Sequence, residues 1–179
     1  MKNYLKWAKR EYSSKQWFIV LVPAGVVLLG IIPYLIVNWS NKIDQRLYLP
    51  RLTAGAINPI VGLILILGGF ALGLWSIEAQ MTIGRGTPVP MMPTQKLVVR
   101  RPFTYCRNPM TLGTILMYMG MCVWIGSISA VAIVLILMSL LLSYIKLFEE
   151  KELEARFGAE YLEYKRNTPF ILPRFRPRK

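Results

Sequence analysis

The sequence predicts an all-α, polytopic membrane protein with about four transmembrane helices and a C-terminal cytoplasmic helix. Three observations carry this. The chain of 179 residues is 54% hydrophobic and only 17% charged, with a mean hydropathy of +0.41. A soluble domain of that size cannot hide so much apolar surface in one core. The apolar residues also come in long blocks, each near the roughly 20 residues needed to cross about 30 Å of hydrocarbon.

The first block, Trp17 to Trp39, is bracketed by tryptophans of the kind that anchor at membrane interfaces. It is too long for a signal h-region and no A-x-A site follows, so it reads as a retained span. Pro23 and Pro33 should bend it. The second block, Asn58 to Ile77, contains Gly62, Gly68, Gly69 and Gly73. Gly69 and Gly73 form a G-x-x-x-G, read here as a packing feature. The third block is Pro109 to Ile125 and the fourth is Ile128 to Phe148. Only Gly126 and Ser127 separate them, which predicts a tight helical hairpin.

Orientation follows from lysine and arginine placement. Lys2, Lys6, Lys9, Arg10 and Lys15 precede the first span; Lys42, Arg46 and Arg51 follow it. Arg85, Lys96, Arg100, Arg101 and Arg107 lie between the second and third spans, and nine basic residues run from Lys146 onward. The hairpin turn holds none. Four spans with both termini in the cytoplasm fit this pattern. The first sixteen residues, with Tyr4, Leu5, Trp7, Ala8 and Tyr12 among lysines, read equally as an interfacial amphipathic helix or a solvated basic arm.

The net charge of +13 flanks apolar blocks and forms no separate soluble patch. Anionic lipids are therefore the expected partner, and nucleic acid is not. The absence of histidine removes Ser-His-Asp and Cys-His catalysis and argues against a metal site. Any general base must be Glu, Asp or Tyr. Cys106 and Cys122 have no metal-like spacing and read as packing residues or free thiols.

Two polar segments are too structured to be plain connectors. In "GRGTPVPMMPTQKLVVRRPFTYCRNP", residues 84–109, glycine and proline rule out a continuous helix. Pro109 suits the first turn of the third span and Asn108 its N-cap. The free N–H groups and dipole of that helix start suit a carboxylate or phosphate, and Arg107 would add a charge-assisted fork. Read alone, Arg100, Arg101 and Arg107 are ordinary positive-inside residues. The second segment, Lys146 to Arg166, has helical spacing through Leu147, Leu153, Phe157, Tyr161 and Tyr164, with Gly158 as its weak point. Glu149 and Glu150 fall where the fourth span leaves the bilayer, a costly depth for an unpartnered carboxylate. Lys146, four residues before Glu150, is one candidate partner. The hairpin should bring both glutamates near Arg107 and Asn108, creating a polar pocket at the membrane boundary.

"KLVVRRPFTYCRNPMTLG", then a two-span hairpin, then "FEEKELEARFGAEYLEYKRNTPFILPRF" resembles the isoprenylcysteine carboxyl methyltransferase family and the related membrane phospholipid N-methyltransferases. "GRGTPVPMMP" resembles a bacterial R-N-P-M branch. The resemblance covers about residues 84 to 175. It divides the chain into residues 1–83, an N-terminal arm with two spans, and residues 84–179, the methyltransferase core, within a single structural unit. It implies an S-adenosylmethionine-dependent enzyme in a bacterial inner membrane. Its acceptor would be lipophilic, a prenyl or isoprenoid carboxylate or a phospholipid headgroup, at the cytoplasmic face. The C-terminal helix would close the cofactor pocket. The cofactor-binding candidates so implied are Tyr105, Arg107, Asn108, Pro109, Glu149, Glu150, Tyr161 and Tyr164, with Arg107 and Glu150 as catalytic candidates. Arg101, Phe103, Asn108 and Thr111 stand where the family pattern has Gly, Tyr, His and Tyr. Two rival readings are a sterol-reductase-like NADPH enzyme, whose C-terminal part resembles this hairpin, and a non-catalytic membrane scaffold. An Arg–Glu pair is also an unremarkable structural ion pair, and Met110, Met117, Met119 and Met121 read as packing or as an adaptable lipid-side wall.

Overall fold

The computed structural model describes residues 14–89 and 92–174. The N-terminal arm falls almost wholly outside the described residues, as does the end of the basic tail. The described residues form helices joined by turns and loops. They are α1 (Ser14–Val26), α2 (Ile32–Arg46), α3 (Ile57–Thr82), α4 (Pro109–Ile125), α5 (Ile128–Tyr144), α6 (Glu150–Phe157) and α7 (Ala159–Asn167). π-helical turns, Val27–Ile31 and Ile145–Glu149, fuse α1 to α2 and α5 to α6.

Among the described residues, three rods are long and apolar enough to cross a membrane: Gln16–Arg46, Ile57–Thr82 and Ile128–Phe157. The third expected span, α4, has 17 residues. At 1.5 Å per residue it is about 26 Å long, slightly short of the hydrocarbon thickness. Its bounds and the Gly126–Ser127 turn fall where the sequence places them. The other spans run on past their expected ends, because the helices continue through polar residues into the aqueous boundary. The first span is a helix with Pro23 inside it and Pro33 just after its π turn. The carbonyl of Leu28 in that turn accepts from the Tyr118 hydroxyl at 2.7 Å.

α3 and α4 pack antiparallel on glycine. A Cβ on Gly69 would lie 2.4 Å from the Gly113 carbonyl oxygen, and one on Gly62 would lie 2.7 Å from that of Gly120. Seven residues separate the two glycines on each helix, so the contact repeats after two turns and the backbones touch along one seam. The expected Gly69–Gly73 pair is part of it, since a Cβ on Gly113 would meet the Gly73 amide nitrogen at 2.9 Å. α5 packs beside α4 and against α2. Their shared core holds Ile36, Tyr118, Cys122, Ala130, Val134 and Met138, with Met117, Met119 and Met121 packed on it. These methionines are packing residues. Phe18, Ile64, Leu67, Ile136 and Leu140 are exposed, as lipid-facing side chains are.

The hairpin turn is locked from two sides. Gly126 adopts φ +64°, and a Cβ there would also press on the Leu52 carbonyl oxygen at 2.7 Å. Ser127 caps α5 by accepting from the Ala130 amide, while its hydroxyl donates to Asp44 at 2.6 Å. The other Asp44 oxygen accepts from the Ser129 amide. Asn58 donates to the carbonyls of Leu52 and Val123. This end therefore gathers residues 44–58 around the turn and leaves 83–107 and 150–174 at the opposite end.

Candidate functional site

The opposite end is built on a change of helical phase. Ile145 and Glu150 are both buried, at 4% and 3% exposure, and lie five residues apart across one π turn. In a regular α-helix the residues beneath Ile145 would be 148 and 149. The wider turn absorbs an extra residue, so Glu150 faces inward and Glu149 faces out.

Glu150 meets Arg107 as the topology predicts. Its Oε1 accepts from Arg107 Nη2 at 2.6 Å and Nε at 3.1 Å. Its Oε2 pairs with Lys165 at 2.8 Å, and Lys165 also pairs with Glu154 at 2.7 Å. Arg107 Nη1 donates to the carbonyls of Lys165 and Thr168, both at 2.8 Å. Four of the five guanidinium donors are thus engaged, leaving one Nη2 proton. Arg107 and Glu150 touch directly. Lys146 is not the partner of Glu150.

The segment after α7 is strapped to the loop before α4. The Arg107 amide donates to the Pro169 carbonyl at 2.8 Å, and the Arg174 amide to that of Tyr105 at 2.9 Å. Asn108 occupies the N-cap position of α4, but its side chain makes no capping bond. Its side-chain NH2 donates to the Phe170 carbonyl at 3.0 Å, tying the strap to the start of α4. Pro109 opens α4 as expected and is buried.

Behind the ion pair, Ala79, Val98, Phe103, Tyr161 and Tyr164 form a second core. The helical stretch expected over Lys146 to Arg166 breaks at Gly158, whose φ of +56° and ψ of −127° suit glycine alone. That break turns α7 back across the loop. The Tyr164 hydroxyl donates to the Phe103 carbonyl at 2.7 Å, and Arg156 donates to the Thr94 carbonyl. Tyr161 lies within electrostatic reach of Glu149, Glu150, Arg107 and Lys165. Burial, reinforced by the Glu150 charge, pushes its phenol up to about 12, so it stays protonated at neutral pH. Burial also raises Tyr164 and Cys106; Cys106 is therefore a thiol and not a thiolate. The hydrogen bonds to Glu150 and Glu154 raise Lys165.

The structure brings Arg107, Asn108, Pro109, Glu150, Tyr161 and Tyr164 into one cluster. Glu149 stands at its edge, exposed and without an ion pair among the described residues. Lys165 bridges Glu150 and Glu154, while Glu149 lies within electrostatic reach of Tyr161. The sequence reading missed Lys165 and Gln80. The Oε1 of Gln80, next to Ala79, is buried without a hydrogen-bond partner. A polar residue near the end of an apolar helix was the available signal. Tyr105 faces elsewhere: its ring lies edge-on to Trp75 at 6.4 Å and under Arg101 at 5.6 Å. It lines an open cleft of about 550 Å³ with Ile83, Val99, Arg100, Arg101, Thr104 and Arg174. Among the described residues no cluster of three or more metal-ligating side chains occurs.

A cationic methyl donor bearing an amino group and ribose hydroxyls needs acceptors and negative charge. The orphaned Gln80 oxygen and the Glu149 carboxylate are each acceptors of that kind. The arginine-lined cleft, with no carboxylate in its wall, does not meet that need. Compared with known proteins, the chain is matched by the sequence model of the family described as phospholipid methyltransferase, over residues 57–160, more than half of its length. Neither a curated protein nor a solved structure shows a detectable match.

Proposed function

The chain belongs to the phospholipid methyltransferase family, and from that premise we propose that this integral membrane protein transfers a methyl group from S-adenosylmethionine to a phospholipid headgroup at the cytoplasmic membrane face. The observation that carries the reading is that the matched region contains Arg107 and Glu150, which meet in a buried ion pair although 43 residues apart in the chain. The excess of lysine and arginine at this end supports a cytoplasmic orientation, and the same charge favours anionic lipid neighbours.

The donor supplies a methyl group on a sulfonium, transferred by in-line displacement, which needs alignment and exclusion of water more than acid–base help. Glu149 and Gln80 offer acceptors to its amino group and ribose. The remaining Nη2 proton of Arg107 is available to a carboxylate. Glu150 fixes that guanidinium, and Arg107 in turn holds the strap over the cluster. Tyr161, Asn108 and Tyr164 shape the wall, and Tyr105 ties the loop to α3. An amine acceptor must be neutral to attack. Tyr161 is too weak an acid to help near pH 7, so Glu149 is the group that would receive the amine proton.

The test is incubation of the purified full chain with methyl-labelled S-adenosylmethionine and bilayer lipids, followed by mass spectrometry of the extract. Label in a phospholipid headgroup is expected, with donor binding at least tenfold weaker in Glu149→Gln. Label only in isoprenoid acids would move the acceptor to a carboxylate. No donor binding together with tight NADPH binding would overturn the reading.

A further inference from the structure

The cleft on the Tyr105 side of the loop has a wall of two characters. Ile83 and Val99 line one part and Arg100, Arg101 and Arg174 the other. Among the described residues no carboxylate lies within salt-bridge distance of these three arginines. Unpaired guanidiniums converging on a concavity suit a phosphate, which they bind through charge-assisted, often bidentate hydrogen bonds. Tyr105, beneath Arg101, supports that guanidinium from its ring face.

The depth of the cleft identifies the source of the phosphate. α3 has 26 residues and is about 39 Å long, roughly 9 Å more than the hydrocarbon core. With Asn58 held at the far boundary by the hairpin turn, Ile83 at the other end reaches the headgroup layer. Trp75, two turns earlier and half-exposed, meets Tyr105 at the depth where tryptophan anchors. An apolar side next to three cations, at headgroup depth, matches a molecule with acyl chains and a phosphate.

We propose that the Arg100–Arg101–Arg174 cleft binds the phosphate of a membrane lipid headgroup, apart from the Arg107–Glu150 cluster. The inference rests on the reading of the chain as acting on membrane lipid. The two sites share one loop, with Tyr105 in the cleft and Arg107 in the cluster. A lipid held by its phosphate would therefore present the rest of its headgroup near the cluster.

The test is calorimetric titration of the delipidated full chain in neutral detergent, with no methyl donor present. The probes are dihexanoyl phosphatidate, dihexanoylglycerol and inorganic phosphate. Phosphatidate is expected to bind at least tenfold more tightly than either other probe. The triple variant Arg100→Gln, Arg101→Gln, Arg174→Gln should lose at least tenfold, and the triple lysine variant should stay within about threefold. Circular dichroism checks that each variant is folded. Dihexanoylglycerol binding as tightly as phosphatidate would overturn the phosphate assignment. Equal binding of inorganic phosphate would make this a free-anion site and overturn the lipid assignment. An unaffected glutamine variant would overturn the location. Because no donor is present, a chain that transfers no methyl group could still bind the lipid, and the two readings fail separately.

Discussion

Glu150→Gln removes one charge and almost no volume, so it isolates the electrostatic role of the pair. Glu150 is 3% exposed and accepts from Arg107 at 2.6 and 3.1 Å and from Lys165 at 2.8 Å. Charge-assisted hydrogen bonds contribute about 1.5–3 kcal/mol each, so three give an upper bound of about 9 kcal/mol. The actual loss is smaller, because Arg107 keeps its two carbonyl acceptors and Lys165 keeps Glu154. The range for breaking a buried pair, about 3–5 kcal/mol, therefore applies. For a chain of this size that corresponds to a fall of roughly 6–20 °C in melting temperature. The assay is thermal unfolding in detergent, paired with limited proteolysis after Arg166. Faster cleavage there is expected, since the strap hangs from Arg107. A change in melting temperature below about 2 °C with unaltered proteolysis would refute the reasoning. The double substitution Arg107→Met with Glu150→Leu should recover only part of the stability, because no charge is then left unpaired but the Lys165 and Thr168 carbonyls lose their donor, and donor binding should not return.

Gly69→Ala should cost about 1–3 kcal/mol by forcing α3 and α4 apart. Gly68→Ala, where a Cβ meets nothing within 4 Å, should be neutral or stabilising by up to about 1 kcal/mol; equal melting temperatures for the two would contradict the seam. Asp44→Ala strips acceptors from the Ser127 hydroxyl and the Ser129 amide and should cost about 2–3 kcal/mol, read as loss of melting temperature, with Asp44→Asn in between. Stability should fall as pH rises above 10. Tyr161, Tyr164 and Lys165 all hold protons more tightly folded than unfolded, so their contribution is complete below the unfolded values and is lost toward the folded ones. Tyr161 accounts for roughly 1.4 kcal/mol per pH unit between 10 and about 12. A flat melting curve from pH 9 to 11 would contradict this.

The spans were legible because the lipid requirement writes itself into long apolar runs, and the hairpin because Gly126 and Ser127 leave room for nothing but a turn. The meeting of Arg107 with Glu150 followed from that turn alone. The choice of Glu150 over Glu149 did not, because it depends on a π turn that no residue in IKLFE announces. Lys165 was hidden in an ordinary basic patch, since its partners become neighbours only when Gly158 reverses the chain. The bonds of Asn108 and Asp44 were hidden too: each reaches a partner more than sixty residues away that hydropathy cannot pair.

The strap over residues 105–108 also bears on how the site comes into being. Arg107 is synthesised well before Lys165, Thr168 and Pro169, whose carbonyls it must satisfy. Until those residues leave the ribosome, a nascent chain with all its spans inserted carries an Arg107 whose Nη1 donors still face water. Assembly of this end is therefore a late step, separate from insertion into the bilayer, and a lesion in residues 165–174 would yield a correctly threaded protein with an unfinished site.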